Sequence, residues 1–460
     1  MARHGVYVLG VAAVLLLGIS TVSRSKGLKG REHQRASQIP SQFSPGERFA
    51  MKEALKGAIR IPTVFCQQFF PTVFKTSFIQ HEVVGEYSHL LTVRGSDPSL
   101  HPYMLMAHSD VVPAPDEGWE VPPFSGLEHD GFIHGQGTLD NKNSDGLKCF
   151  AILQALELLL KRNYIPRRSF SIALGHGHNG AQKISALLQT RGVKLAFIVD
   201  EKSGGPSLIL SYRIAGSEKG LINLSLQVNM TPGHSSAPPK ETSISILAAA
   251  VSRLEQTPML NMFGSGPSKM TLQELAHEFP FPANIILSNL WLFGPLVSRF
   301  MERSYITNTL VRTTMALIMF NAGVNVIPPV AQAIINMQIH PAQTVQEVLD
   351  LIKNIVADSR VQFHVLNAFD PLPVSPSDHQ ALGYQLLHQI IQSIFPEVST
   401  VVPGICIGNT DSRHYANLTT GIYRFNPLYL GTGLNSRKIS VQFIQNADAD
   451  QEPAPHRHEL

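Results

Sequence analysis

The chain has 460 residues, 43% apolar and 15% charged, with 34 glycines and 31 prolines. That excludes collagen, coiled coil and wholesale disorder, and it leaves length for two or three domains with a sizeable core. Lys and Arg (37) barely exceed Asp and Glu (34), and the basic residues are scattered, so nothing marks a nucleic-acid-binding face. Cys66, Cys149 and Cys406 form no CxxC pair and cannot complete a disulfide framework.

Arg3 and His4 precede an apolar run from Val6 to Ile19, and small or polar residues follow at Ser20 to Ser23. This pattern predicts a signal peptide over 1–23. The run is too short for a stable membrane span. Residues 24–42, basic and polar, predict a flexible leader. A helical pattern covers Phe49 to Ile61. Leu90, Leu91 and Val93, then Tyr103 to Ala107, read as short strands. Leu147, Ala151, Ala155, Leu156 and Leu159 mark a helix over 147–161. Ser169 to Leu174 and Leu195 to Val199 are buried-strand candidates. Strand, helix and strand in this order argue for a mainly parallel α/β sheet.

Near Gly216 the pattern changes. Leu221 to Val228 alternates as a half-exposed strand, and a helix follows at Ser243 to Leu254. A long apolar helical region is predicted from Pro280 to Phe320. A strand at Ala331 to Ile339 and a helix at Val345 to Ala357 complete the block. The domain assignment is therefore a first domain over 43–216 and 346–445, interrupted by an inserted domain over 217–345. A helix near Gly383 to Ile394 belongs to the returning segment, and 446–460 is a polar tail.

Several short motifs carry candidate chemistry. His108 and Asp110 stand just past the strand Tyr103 to Ala107, where α/β proteins place ligands. In Gly135-Gln-Gly-Thr-Leu-Asp the glycines tighten a turn that presents Asp140, and Asp200 ends the run Leu195 to Val199. Taken singly, each is a surface histidine, a helix cap or a turn former. Together, one histidine and two carboxylates form a set that holds zinc with an open fourth position. Asp110 would then orient the His108 ring. His234 lies in a loop of the inserted block. Arg413 either grips a carboxylate in bidentate fashion or is a solvated surface arginine. Asn223, Asn229 and Asn417 begin glycosylation sequons, which support secretion.

The order HSDVVPAP, GQGTLDNK, VDE, GHSSAPP, NVIPP and GNTDSR resembles the di-zinc aminoacylase and carboxypeptidase-G family of metallopeptidases. The resemblance runs from about residue 34 onward, with gaps. It implies an α/β zinc-peptidase domain with an inserted α+β ferredoxin-like lid that mediates homodimerisation. It assigns one zinc to His108, Asp140 and Asp200, with Asp110 as the orienting aspartate. It gives His234 the oxyanion and Asn325 and Arg413 the substrate. The implied reaction hydrolyses N-acyl amino acids, fatty-acyl ones included, or condenses fatty acid and amino acid in reverse.

The same resemblance exposes departures. Relatives carry paired glutamates after the strand that ends here at Leu174, one the general base and one a ligand of a second zinc. This chain reads Gly175-His-Gly-His-Asn-Gly, without a carboxylate. Thr432 stands at the last ligand position, Asn141 replaces an Asp and Gln338 replaces an Arg. Segments are missing around Phe65 to Phe70, after Glu201, and between Tyr429 and Arg437. One zinc is therefore predicted instead of two, with His176 or His178 as candidate surrogate bases. Three readings stay open: an impaired secreted amidohydrolase, a pseudoenzyme that binds one zinc or acyl amino acids, and a decayed product that folds poorly. The Phe279 to Phe293 region suits an acyl chain, and equally suits core packing.

Overall fold

The computed structural model describes residues 44–60, 69–108, 121–129, 132–135, 146–175, 177, 179–200, 211–321, 327–394, 398 and 400–425. The predicted signal peptide, the leader and the C-terminal tail lie outside the described residues. Those described form two compact units. The first takes the described residues within Gln34–Gly216, Ser375–Val401 and Thr410–Leu460; the second takes Ser217–Val374 and Val402–Asn409.

In chain order the first unit supplies α1 (Pro45–Ile59), α2 (Pro71–Lys75), β1 (Ile79–Val84), β2 (Ser88–Val93), β3 (Tyr103–Ala107), β4 (Leu127–His129) and β5 (Phe132–His134). Next come α3 (Gly146–Lys161), β6 (Phe170–Leu174), α4 (Ala181–Thr190), β7 (Ile198–Asp200) and β8 (Ser211–Glu218). The second unit contains β9 (Gly220–Asn229), α5 (Ser243–Gln256), α6 (Pro267–Glu274), α7 (Ala283–Ser288), α8 (Leu290–Met301) and α9 (Tyr305–Asn308). It continues with β10 (Thr314–Asn321), β11 (Val330–Ile339), α10 (Val345–Val356) and β12 (Val361–Phe369). The chain then forms α11 (Leu382–Ile394), β13 (Thr400–Cys406) and β14 (Ile422–Arg424).

The sheet of the first unit runs β1-β2-β6-β3-β7-β14-β8, and β8 and β13 carry the chain across the division. Its centre is parallel: β6 with β3, β3 with β7, and β7 with β14. The three strands β3, β6 and β7 are buried at every residue, as parallel strands covered on both faces must be. Tyr103 stacks between Phe170 and Phe197 at 5.1 and 5.3 Å, which locks their starting ends. Helix α3 is buried from Ala151 to Leu160. Over that stretch it has no solvent face, and the one carboxylate there needs partners. Glu157 accepts from the Val73 amide at 2.9 Å and the Thr72 hydroxyl at 2.5 Å, so it satisfies the opening turn of α2. At Gly383 a Cβ would meet the Phe197 and Tyr423 rings at 2.7 Å, so only glycine lets α11 approach the sheet.

In the second unit the sheet order is β10-β11-β9-β12, antiparallel throughout. With α5 between β9 and β10, and α10 between β11 and β12, this is the βαββαβ ferredoxin-like arrangement. Both helices begin in capping boxes, Thr242 with Ser245 and Thr344 with Glu347. Their apolar faces close a core on Leu224, Leu226, Ala333 and Ile335. The contact division falls after Val374, so α10 and β12 belong to this unit; the sequence boundary stood at 345.

The single helical region from Pro280 to Phe320 is corrected. It comprises α7, α8, α9 and the strand β10. Asn289, at φ −123° and ψ 44°, breaks the first helix from the second. Beyond Thr313 the apolar residues are taken by strand pairing with β11, a tertiary partner that a periodicity reading does not see.

Lys219, between β8 and β9, is fully buried in the second unit. Its ammonium donates to the Arg312 carbonyl at 2.9 Å and lies 3.5 Å from Thr314 Oγ1. Burial pushes its pKa down from 10.5 to about 7. Between those values the unfolded chain holds a proton that the folded chain releases. Stability from this group therefore falls as pH drops from 10.5 to 7 and is flat below. Lys219→Met should stabilise the protein most near pH 7, with the gain shrinking toward pH 10.5, as read by denaturant unfolding across that range.

Candidate functional site

The parallel centre of the first unit brings two predicted ligands to one edge. His108 follows β3 directly and is half-buried; Asp200 is the last residue of β7 and is 2% exposed. The two strands are paired, Leu105 opposite Val199. Adjacent strand ends thus supply an imidazole nitrogen and a carboxylate oxygen, a donor set that suits zinc. Asp110, Asp140 and Asn141 lie outside the described residues. Among the described residues no group of three or more His, Cys, Asp or Glu forms a metal site.

Beside Asp200 the sheet holds a charge that sequence reasoning missed. Arg424, opposite Asp200 in β14, is 1% exposed. Its Nε donates to Thr410 Oγ1 at 3.2 Å and its Nη2 to Ser412 Oγ at 2.7 Å. A buried guanidinium requires such partners, so Arg424 fixes the GNTDSR segment against the sheet. The visible signal was a lone charge between Tyr423 and Phe425 in an otherwise apolar strand.

The same segment holds the loop after β6. Asp411 accepts the Gly177 amide on both carboxylate oxygens at 3.1 Å. The Gly177 carbonyl accepts from Gln182 as α4 begins, and Gly177 has φ +56°, a conformation natural to glycine. His176 and His178, the surrogate-base candidates, lie outside the described residues. Tyr415 is fully buried, and burial, with the charges of Asp411 and Asp200, holds its phenol well above the usual range. Asp411 and Tyr415 were not singled out from the sequence, although both flank the arginine that was. Arg413 is half-buried, and its Nε donates to His414 Nε2 at 3.3 Å.

The second unit holds His234. The Ser236 amide donates to its Nδ1 at 3.2 Å, with Ser236 Oγ 2.7 Å from the same atom. An accepting Nδ1 leaves the proton on Nε2, and the ring is exposed. Gly233 forms an antiparallel bridge with Ile327. The GHSSAPP and NVIPP motifs, bridged by residues 94 positions apart (327 − 233), are therefore neighbours, although Asn325 itself lies outside the described residues. Gln338 donates to Asn336 within β11 at 3.1 Å. Of the sequons, Asn229 and Asn417 are exposed, whereas Asn223 is half-buried in central strand β9 and accepts from Asn336 at 2.8 Å.

Residues 104–440 match the peptidase family M20/M25/M40. The chain belongs to that family. The N-fatty-acyl-amino acid synthase/hydrolase PM20D1 of Bos taurus is 66% identical, with all of both chains covered, and that of Homo sapiens is 64% identical with the same coverage. The bovine alignment spans 508 positions. A chain of 460 residues leaves at least 48 of them (508 − 460) without a residue here. Among solved structures, the dipeptidase Dug1p from Saccharomyces cerevisiae has a TM-score of 0.63 at 13% identity, covering 94% of this chain and 99% of its own. Human carnosine dipeptidase 1 has a TM-score of 0.59 at 15% identity, covering 87% and 98%. These share the fold, an α/β peptidase domain with an inserted α+β domain.

Removing the Asp411 carboxylate leaves the Gly177 amide without its acceptor. Asp411→Ala should speed hydrogen exchange at Gly177 and the first turn of α4, and cost about 1.5–3 kcal/mol of stability. Unchanged exchange there, measured beside thermal unfolding, would dismiss Asp411 as the loop's anchor.

Proposed function

We propose that this chain hydrolyses N-fatty-acyl amino acids to fatty acid and amino acid, and condenses the two in reverse, at one zinc ion held by His108, Asp140 and Asp200. The observation that carries this reading is the identity of 66% to the bovine synthase/hydrolase across both full chains, joined to a surviving ligand pair at adjacent strand ends. Bound there, zinc would polarise the scissile carbonyl and activate water. Asp110 orients the His108 ring and raises its basicity. His234 donates from Nε2 to the oxyanion that develops as the amide is attacked. Asn325 and Arg413 bind the substrate, Arg413 through its carboxylate. His176 or His178 stands in as the base for the missing glutamate.

The signal peptide over 1–23 directs secretion, and Asn229 and Asn417, being exposed, are the sequons suited to carry glycans. The inserted domain mediates homodimerisation. No helix among the described residues is long and apolar enough to cross a membrane.

One observation favours a second reading. Residues 175–180 contain no carboxylate, so a chain that keeps one zinc and binds acyl amino acids without turning them over fits the same ligands.

The deciding assay is hydrolysis of an N-fatty-acyl phenylalanine by zinc-supplemented protein, with His108→Ala as control and bound zinc counted in both. Loss of a positioned base costs about 10²–10⁴-fold. Turnover is expected at that reduced level relative to the human and bovine enzymes, with one zinc per chain, and absent from the variant. Folded protein that binds one zinc and shows no turnover above the control supports the binding reading instead. Unchanged zinc in the variant would refute His108 as a ligand.

A further inference from the structure

A second group of metal-ligating side chains lies in the β1–β2 hairpin, away from the ligands assigned above. His81 of β1 and His89 of β2 project from one face of the sheet. The register sets His81 opposite Leu91 and Val83 opposite His89, so the two histidines are diagonal neighbours. His81 Nε2 and His89 Nδ1 are 2.9 Å apart, with ring centroids at 5.1 Å and planes inclined by 28°. Phe74 of α2 packs its edge on His81 at 5.0 Å, which limits the ring's freedom. His89 lies opposite Leu174 of β6, and Leu174 lies opposite Ala107 of β3. The pair is thus level with the sheet edge that carries His108, with β6 intervening.

We propose that His81 and His89 form a two-histidine site for a late first-row divalent cation, copper(II) binding best and zinc less tightly. The nitrogens are already close to ligating separation. Two metal–nitrogen bonds of about 2.0–2.1 Å at a tetrahedral angle need them about 3.3–3.4 Å apart, a small opening for exposed His81. The carboxylate next to His81 in the chain is otherwise engaged: Glu82 pairs with Arg191 at 2.6 and 2.7 Å. Burial lowers the pKa of both rings, and each is neutral at pH 7, the form that ligates. Binding balances without net proton release: the ring that donates in the pair gives up its bridging proton and takes one on its remote nitrogen. The remaining positions are open to water on the exposed His81 side. The preference for copper follows the general order of divalent-ion affinities for nitrogen ligands.

The test is copper(II) titration of the full, zinc-loaded chain at pH 7, followed by electron paramagnetic resonance and by counting bound copper. Other histidines, the tail's included, take up copper too, so the reading is the difference between proteins. His81→Ala and His89→Ala should each lose a copper equivalent and its two-imidazole signature, while His108→Ala keeps both. Because His81 is exposed, His81→Gln removes the ligand at the cost of its ring contact with Phe74 alone among the aromatic residues outside the pair, and circular dichroism confirms the fold. Equal copper content and spectra in wild type and His81→Gln would overturn the proposal. So would loss of that signature in His108→Ala alone.

Discussion

The parallel pairing of β6, β3, β7 and β14 is the constraint on which the rest of the first unit depends. Strands that run the same way end on the same edge, and these are covered on both faces. Their interiors must then be apolar, and polar chemistry is displaced to the first residues beyond or at their ends. His108 and Asp200 occupy those positions. Register, not loop conformation, sets them side by side: Leu105 opposite Val199 leaves His108 and Asp200 at neighbouring ends. A ligand fixed in this way persists as long as the sheet does.

Arg424 is the exception to the apolar interior, and it explains the GNTDSR segment. A guanidinium buried to 1% is stable only with its donors occupied. Thr410 and Ser412 occupy two of them. The residue between, Asp411, is thereby held where it accepts the Gly177 amide. The motif neighbours of Arg413, the residue read as a substrate grip, form in this fold a brace between β14 and the loop after β6. That brace brings a carboxylate to a loop whose residues 175–180 contain none. Gly177 has its amide satisfied and its carbonyl engaged by Gln182, so neither of its own backbone groups is stranded.

Much of this was legible in the sequence because it rests on local pattern. The strands Tyr103–Ala107 and Phe170–Leu174 and the helix after Asn141 follow from apolar runs and their periods, and the helices Ser243–Gln256 and Val345–Val356 end within two residues of the sequence reading. Order of motifs disclosed the family. What stayed hidden was long-range. Strand β10 reads as helix until β11 is seen beside it, and β12 reads as part of the returning segment until it pairs with β9. Arg424 and Asp411 act through partners 12 to 234 residues away. The pairing of Gly233 with Ile327 is equally invisible to spacing.

Ligands on strand ends and ligands on loops face different risks when a chain loses segments. Removing residues from the middle of β3 or β7 would open the core that Tyr103, Phe170 and Phe197 stack to fill, and stability of about 5–15 kcal/mol does not absorb that. Removing residues from a loop costs little when its flanks still meet, since closure entropy varies only slowly with length. At least 48 positions of the bovine relative have no counterpart here, yet every central strand is present. His108 and Asp200, the two candidate ligands among the described residues, are the ones that stand at the ends of those strands. Residues 175–180, between β6 and α4, contain no carboxylate of their own, and Asp411 brings one to the Gly177 amide from the later part of the unit's chain.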